Sequence, residues 1–445
     1  MKKFVSILLC GMALVLLSAC NANNNEKVFS FRFDMKGVLL SLDQVADGKW
    51  PELAYEYGIN TIGLCGDVAQ ITEFIASGQG GDFLKGCEAL SVDVEYHLQD
   101  TSATAAGCCV HSQANVSQVT ATALSVLAQL LPTNHRYYWE FDVNSLTCQC
   151  SECSKYTQSE KVLMLENSLL NELRKLDPLA MLAHTTDSPS YGKVKPVDGI
   201  FAVYKGDVNA LKAGTMDIPA TNMVVCANLL EPSQLDAIAE CRVRDVTSCA
   251  SCVTEEALFE YGRGLNLIKI EPFTHPWGDV FQETETTVAL IGDNLHLRFD
   301  AVDSEIIYDE TFEYERDMEI GDRIEAYFSK DYELSGYYGF EVDPVGNVMA
   351  YKCKYFKQFE YEWDAPQGFW AKGHIKEGGY VVDVSFPMDF INTMVVDGKI
   401  YIGLYRADYR HVGDEVVRDS YSWKDPGNGI HTFHQPEIFY HVTLF

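Results

Sequence analysis

The chain has 445 residues, 47% hydrophobic and 22% charged, which is enough to bury the cores of two or three domains. Its 64 acidic side chains outnumber 34 basic ones and leave a net charge of −30. No Lys/Arg stripe interrupts that excess, so nucleic acid is not an expected partner, its phosphates being repelled, while neutral ligands remain open.

At the start, Lys2 and Lys3 precede an apolar run over residues 4–17, and Leu17-Ser18-Ala19-Cys20 follows. A basic start, a short apolar stretch and small residues before a cysteine are the marks of an export leader. The segment resembles a bacterial lipoprotein signal ending in a lipobox. That resemblance implies cleavage before Cys20 and acylation of Cys20, palmitate included, which would hold the chain on a membrane. Residues 21–27 read as a polar tether with no acid directly after Cys20, as in outer-membrane lipoproteins, so a cell-surface or periplasmic face is expected. An ordinary secretory leader is the alternative. No other run approaches the ~18 apolar residues of a spanning helix.

Disulfides are permitted in an exported chain. Cys148, Cys150 and Cys153, with Cys249 and Cys252, offer the donors that zinc uses, but no histidine spacing accompanies them and the two groups lie far apart in sequence. They read as loop staples or buried thiols, and neither a metal nor another cofactor is expected.

From residue 28 to 268, β-branched apolar runs alternate with helical patterns. Pro51 opens a helix that Gly58 closes, and residues 59–64 follow as a buried strand. Asp82 caps a helix before the strand 92–96, and Ser117 caps one that leads into the strand 137–141. Ser159 begins a longer helix whose apolar stripe runs through Val162, Leu165, Leu169, Leu173 and Leu176, and strands at 181–183, 200–204 and 223–227 complete the series. This βαβα order predicts an α/β barrel-like domain, complete or incomplete, with an open doubly wound sheet as the alternative. In a barrel the ligand meets the C-terminal strand ends. There Glu140 and Asp142, two apart in the run YYWEFD, form a candidate acid pair if the strand carries both on one face.

The segments WPELAYEYGINTIGL, FLKGCEALSVDVEYHL, YYWEFDVNSLTCQCSECSKY and KVKPVDGIFAVY resemble the bacterial domain of unknown function 4838. The resemblance implies a barrel like those of glycoside hydrolases and a polysaccharide context. A hydrolase needs two carboxylates ~5 Å apart for retention or ~6.5–9.5 Å apart for inversion. Glu140 and Asp142 are the candidates, although Glu-x-Asp reverses the Asp-x-Glu order of similar substrate-assisted enzymes. The other reading gives them a loop-holding or binding role.

Glu271-Pro-Phe-Thr-His-Pro276 reads as a linker, and from 271 to 445 the pattern is of strands and tight turns, which predicts an all-β sandwich. Here GDRIEAYFSKDYELSGYYGFEVDPVGNVMAY, YIGLYRADY, YSWKDP and FHQPEIFYHVTLF resemble a family 9 carbohydrate-binding module. The resemblance implies sugar binding by aromatic faces and charged groups, and by position it points to Asp322, Arg323, Glu325, Arg406 and Trp423. Polar neighbours suggest that Trp423 is exposed. Arg323 and Glu325, on one face around Ile324, fit an ion pair bracing the sheet equally well. The leading expectation is a membrane-anchored glycan-binding lipoprotein. A glycoside hydrolase acting through Glu140 and Asp142, and a non-catalytic scaffold, are the alternatives.

Overall fold

The computed structural model describes residues 26–29, 32–99, 105–213, 216–227, 232–249, 255–278, 281–311, 318, 320–355 and 357–444. The leader and Cys20 lie outside them. The chain divides into two compact units, one built on residues 32–267 and the other on 26–29, 268–289 and 293–444.

Strand β1, Glu26–Phe29, belongs to the second unit. In the first, eight described strands close into a barrel: β2 (Met35–Ser41), β3 (Thr61–Gly66), β4 (Asp93–Gln99), β5 (Arg136–Glu140), β6 (Met181–Thr186), β7 (Ile200–Tyr204), β8 (Met223–Ala227) and β9 (Asp245–Cys249). Every neighbouring pair is parallel, and β9 closes on β2 through Met35↔Asp245. The barrel is therefore complete, as parallel strands separated by crossover helices allow. Inward residues alternate along each strand and include Leu39, Tyr138, Ala183, Phe201, Val203 and Cys226. Gly63 is needed where it stands, since a Cβ there would lie 2.4 Å from Leu39 Cδ2 and 2.7 Å from the His97 ring.

The helix expected from Ser159 spans Gln158–Leu173 and is capped by Thr157 and Glu160 in a reciprocal box. Val162, Leu165, Leu169 and Leu173 are buried as the stripe predicts, while Leu176 lies past the helix end and is exposed. Ser112 and Ser77, not Ser117 and Asp82, cap the helices Gln113–Leu127 and Gly78–Ala89. Glu166 on the helix Gln158–Leu173 meets the outward-facing His184 of β6 at 2.6 Å, and Ser159 Oγ lies 3.3 Å from the other ring nitrogen. His184 is thus a tie between helix and strand. It has no place at the barrel mouth.

The second unit is a sandwich of two sheets. The larger contains β1, β13 (Arg323–Ser329), β14 (Tyr337–Val342), β15 (Val348–Lys354), β16 (Gln358–Glu360), β19 (Lys399–Val412), β20 (Glu415–Ser422) and β21 (Tyr440–Leu444). The smaller runs β10 (Leu267–Lys269), β11 (Thr284–Ile291), β12 (Asn294–Val302), β18 (Gly379–Pro387), β17 (Trp370–Lys376). Between them lies a core of Leu295, Leu297 and Phe299 with Ile324, Ala326, Phe328, Phe340, Val382 and Leu404. A second cluster, with Tyr327, Tyr337, Tyr351 and Tyr405, covers the other face of the larger sheet beneath Phe433, Ile438 and Phe439. Glu26 and Lys27, expected in the tether, pair in parallel with His441 and Val442. The linker is likewise held, with Thr274 and Ser422 exchanging backbone hydrogen bonds of 2.8 and 3.0 Å.

Candidate functional sites

At the C-terminal strand ends of the barrel, a cavity of about 440 Å³ is lined by Leu39, Asp67, His97, Tyr138, Glu140, Thr185 and Lys205, among others. Strand β5 ends at Glu140, whose carboxylate faces inward because Arg136, Tyr138 and Glu140 share one side of the pleat. Glu140 Oε1 accepts from Thr185 Oγ1 at 2.9 Å and from Lys205 Nζ at 2.5 Å. Burial pushes its pKa up, but Lys205 and Thr185 more than offset that and hold it below the usual glutamate value. Beside it His97 stacks on Tyr138 at 3.6 Å between centroids, and Nε2 lies 3.3 Å from the buried Glu95.

Asp142 departs from the expected pairing. The strand stops two residues earlier, so the alternation that would aim both carboxylates inward does not reach it. Asp142 instead accepts from Asn144 N at 2.9 Å as the cap of a single 3-10 turn, is exposed, and does not line the cavity. Lys205, just past β7, is legible in the sequence as a strand-end residue, but its pairing with Glu140 is not. Asp67, the other carboxylate on the lining, caps the helix Val68–Ala76 through Ala69 N.

In the sandwich the five sugar-binding candidates are divided by strand alternation. Arg323 and Glu325 face the tyrosine side of the larger sheet, whereas Ile324 and its partner Arg406 face the inter-sheet core. Arg406 is fully buried, with Asp303 at 2.9 Å and Asp408 at 3.3 Å, and Tyr380 and Tyr421 flank its guanidinium. Asp322, also fully buried, accepts from Tyr409 N at 2.6 Å and Ile307 N at 2.5 Å, and burial pushes its pKa up to about 8. Trp423 is 3% exposed, against the expectation from its polar flanks. Its indole packs against Tyr440 at 4.5 Å and Phe29 at 6.3 Å, and its Nε1 donates to Glu271 at 3.2 Å. Its polar neighbours mislead because they are themselves buried: Trp423 follows the end of β20, and Ser422 and Lys424 on either side of it are both buried.

Arg323 and Glu325 line a smaller cavity of about 210 Å³ together with Tyr327, Glu341, Arg418, Phe433 and His434, among others. Glu325 and Glu341 stand directly opposite each other on β13 and β14, a like-charge pair that is unfavourable by itself. Arg323 resolves it, with Nε 2.5 Å from Glu341 and 3.1 Å from Glu325. Burial, then the Glu325 charge, push the Glu341 pKa up despite the guanidinium. Tyr351 donates to Glu341 at 2.8 Å and Tyr327 to Glu325 at 2.5 Å. His434 stacks over Tyr327, and Arg418 lies 4.9 Å from the Phe433 ring centre. Glu325 Oε1 and Arg418 Nε are buried and make no hydrogen bond among the described residues. The period-2 run Arg323-x-Glu325-x-Tyr327 carried this face in the sequence. Glu341, Arg418 and Phe433 come from distant strands and segments and had no comparable signal.

No family model and no curated protein sequence matches the chain. Among solved structures it is similar to a putative carbohydrate-binding protein from Bacteroides uniformis, at 14% identity over 50% of this chain and 99% of that one, with a TM-score of 0.29. A carbohydrate binding module of family 9 from Caldicellulosiruptor kristjanssonii in complex with cellotriose matches at 11% identity over 39% and 82%, TM-score 0.28. A trimodular GH5_4 subfamily endoglucanase matches at 10% identity over 88% and 98%, TM-score 0.34. Likenesses this slight carry neither the fold nor a function, and the architecture stands on the strand pairings given above.

Proposed function

We propose that the protein is an exported, lipid-anchored glycan-binding protein, and that the sandwich cavity beside Arg323, Glu325 and Arg418 takes one sugar ring. The observation that supports this most is the buried donor Arg418 Nε, which makes no hydrogen bond among the described residues, beside Glu325 Oε1, which is held by ion pairs to Arg323 at 3.1 Å and Arg418 at 4.0 Å, on a wall shared with Tyr327, Phe433 and His434. Planar charged groups suit sugar hydroxyls, and ring faces suit the C–H patch of a pyranose. The cavity is smaller than the ~300–1,000 Å³ of ordinary ligand clefts, which favours a chain end over a run of several rings. Anchoring through Cys20 at the outer membrane is proposed from the leader sequence.

A hydrolytic role for Glu140 with Asp142 is not favoured. A glycosidase needs a protonated acid with a raised pKa, whereas Lys205 keeps Glu140 ionised and Asp142 stands off the cavity. The test of the binding reading is a glycan array with the purified chain, followed by calorimetry on whatever binds. Arg418→Ala removes a side chain that is 35% exposed, so the sandwich is expected to survive it. It should weaken binding by roughly ten- to a hundredfold, the worth of a hydrogen bond to a charged group. Failure of the unaltered protein to bind any glycan defeats the proposal.

A further inference from the structure

The stretch with Cys148, Cys150 and Cys153 is left without a purpose by the binding reading, and its surroundings give it one. The loop at 141–157 runs from the end of β5 to the helix Gln158–Leu173. It exceeds the ~12–15 residues beyond which a loop without regular structure is uncommon. Its described order consists of two single 3-10 turns, Val143–Ser145 and Cys153–Lys155, with Leu146 and Cys153 fully buried. Strand β4 pairs beside β5 in the barrel, and the segment that follows β4 carries Cys109. The fold therefore brings a fourth cysteine, 39 positions before Cys148 in sequence, to the same place.

The four sulfurs of Cys109, Cys148, Cys150 and Cys153 all lie within 4.8 Å of one another. Cys109 Sγ is 3.7 Å from Cys153 Sγ and 3.8 Å from Cys150 Sγ, and all four thiols are free. Zn–S bonds of ~2.3 Å at tetrahedral angles place neighbouring sulfurs ~3.8 Å apart, so those two separations are already the edges of such a tetrahedron. The backbone N–H of Cys153 donates to Cys150 Sγ at 3.4 Å, an orientation that favours a thiolate at that sulfur. Cys108, next in sequence to Cys109, is buried and stands outside the cluster.

We propose that Cys109, Cys148, Cys150 and Cys153 bind one zinc ion and clasp the loops that follow β4 and β5. An all-sulfur tetrahedral donor set selects zinc over the oxygen-preferring calcium and magnesium, and four protein ligands leave no position for a substrate. The site is structural: it fixes the loop that begins directly after Glu140. Binding displaces the thiol protons to solvent and changes no oxidation state. Among the described residues the fourth donor is Cys109. The Cys249 side chain and Cys252 lie outside the described residues.

The test uses full-length protein purified in metal-free buffer with reductant, given one equivalent of zinc and passed through a desalting column. About one zinc per chain should remain, with ~four sulfurs at ~2.3 Å by X-ray absorption. Cys109→Ser and Cys150→Ser should each cut retained zinc at least ~tenfold, and Cys108→Ser should keep it. Should a variant fail to fold, cobalt titration of the unaltered protein decides, because four thiolates give intense sulfur-to-cobalt charge-transfer bands. Absence of those bands, a first shell of nitrogen or oxygen, zinc retained by both ligand variants, or locked disulfides among these four cysteines with no zinc uptake after reduction would each overturn the proposal. None of these results depends on whether the sandwich binds a glycan.

Discussion

Trp423→Ala should destabilise the sandwich; it should not trim a binding surface. The indole is 3% exposed and sits in the inter-sheet core with Phe29 and Tyr440. Truncating a buried tryptophan to alanine costs ~3–5 kcal/mol through lost transfer energy and the cavity left behind. The Nε1 hydrogen bond to Glu271 adds ~0.5–1.5 kcal/mol, partly recovered because Glu271 also pairs with Lys27. Against a domain stability of ~5–15 kcal/mol, that is roughly a quarter of the total or more. Urea unfolding followed by circular dichroism should show the transition of the sandwich moving to markedly lower denaturant with its slope unchanged. Trp423→Phe, which keeps most of the buried ring, should lose less than half as much. A loss below ~1 kcal/mol for Trp423→Ala would show that the residue is not packed in this core, and would return it to the list of surface sugar contacts.

Two further outcomes follow from charges held in unusual settings. Lys205→Met removes the main partner of Glu140, leaving burial as the largest remaining influence, so the Glu140 pKa should rise from below to above the usual glutamate value. Carboxyl NMR titration reads this directly, and an unmoved Glu140 resonance would contradict the ion pair. Asp322 carries the opposite sign: burial raises its pKa from 3.8 to about 8 in the folded state, so between those values the native chain holds a proton that the unfolded chain has lost. Its contribution to stability is complete below about pH 4 and disappears as the pH rises through about 8. The melting temperature should therefore fall from pH 5 to pH 8 more steeply in the unaltered protein than in Asp322→Asn. Equal pH slopes would show that Asp322 ionises normally.

Much of this molecule was legible in the chain itself because local spacing carries it. Period-2 runs such as Arg323-x-Glu325-x-Tyr327 and Leu295-x-Leu297-x-Phe299 set which side chains share a face, whatever lies across from them. The alternation of strands with capped helices gave the barrel, and the apolar stripe of the helix Gln158–Leu173 gave its buried side, failing only at Leu176, where the helix has already ended. The same arithmetic misled where an element stopped early. Asp142 would have joined Glu140 on one face had β5 run two residues further.

Contacts between residues far apart in the chain were decided only by the tertiary structure, since their separation depends on which strands become neighbours. The pairing of β4 with β5 brings Cys109 to Cys150 and Cys153; that of β13 with β14 sets Glu341 against Glu325; and closure of the barrel carries Lys205 to Glu140. Burial was hidden for the same reason. Arg406, a charged group, and Trp423, flanked by polar residues, look like surface groups in the sequence, yet both are buried in the sandwich, where Arg406 is kept charged by Asp303 and Asp408. Composition and periodicity determine which faces a chain has. The packing of those faces determines which polar groups are already paired and which, like Arg418 Nε, make no hydrogen bond among the described residues.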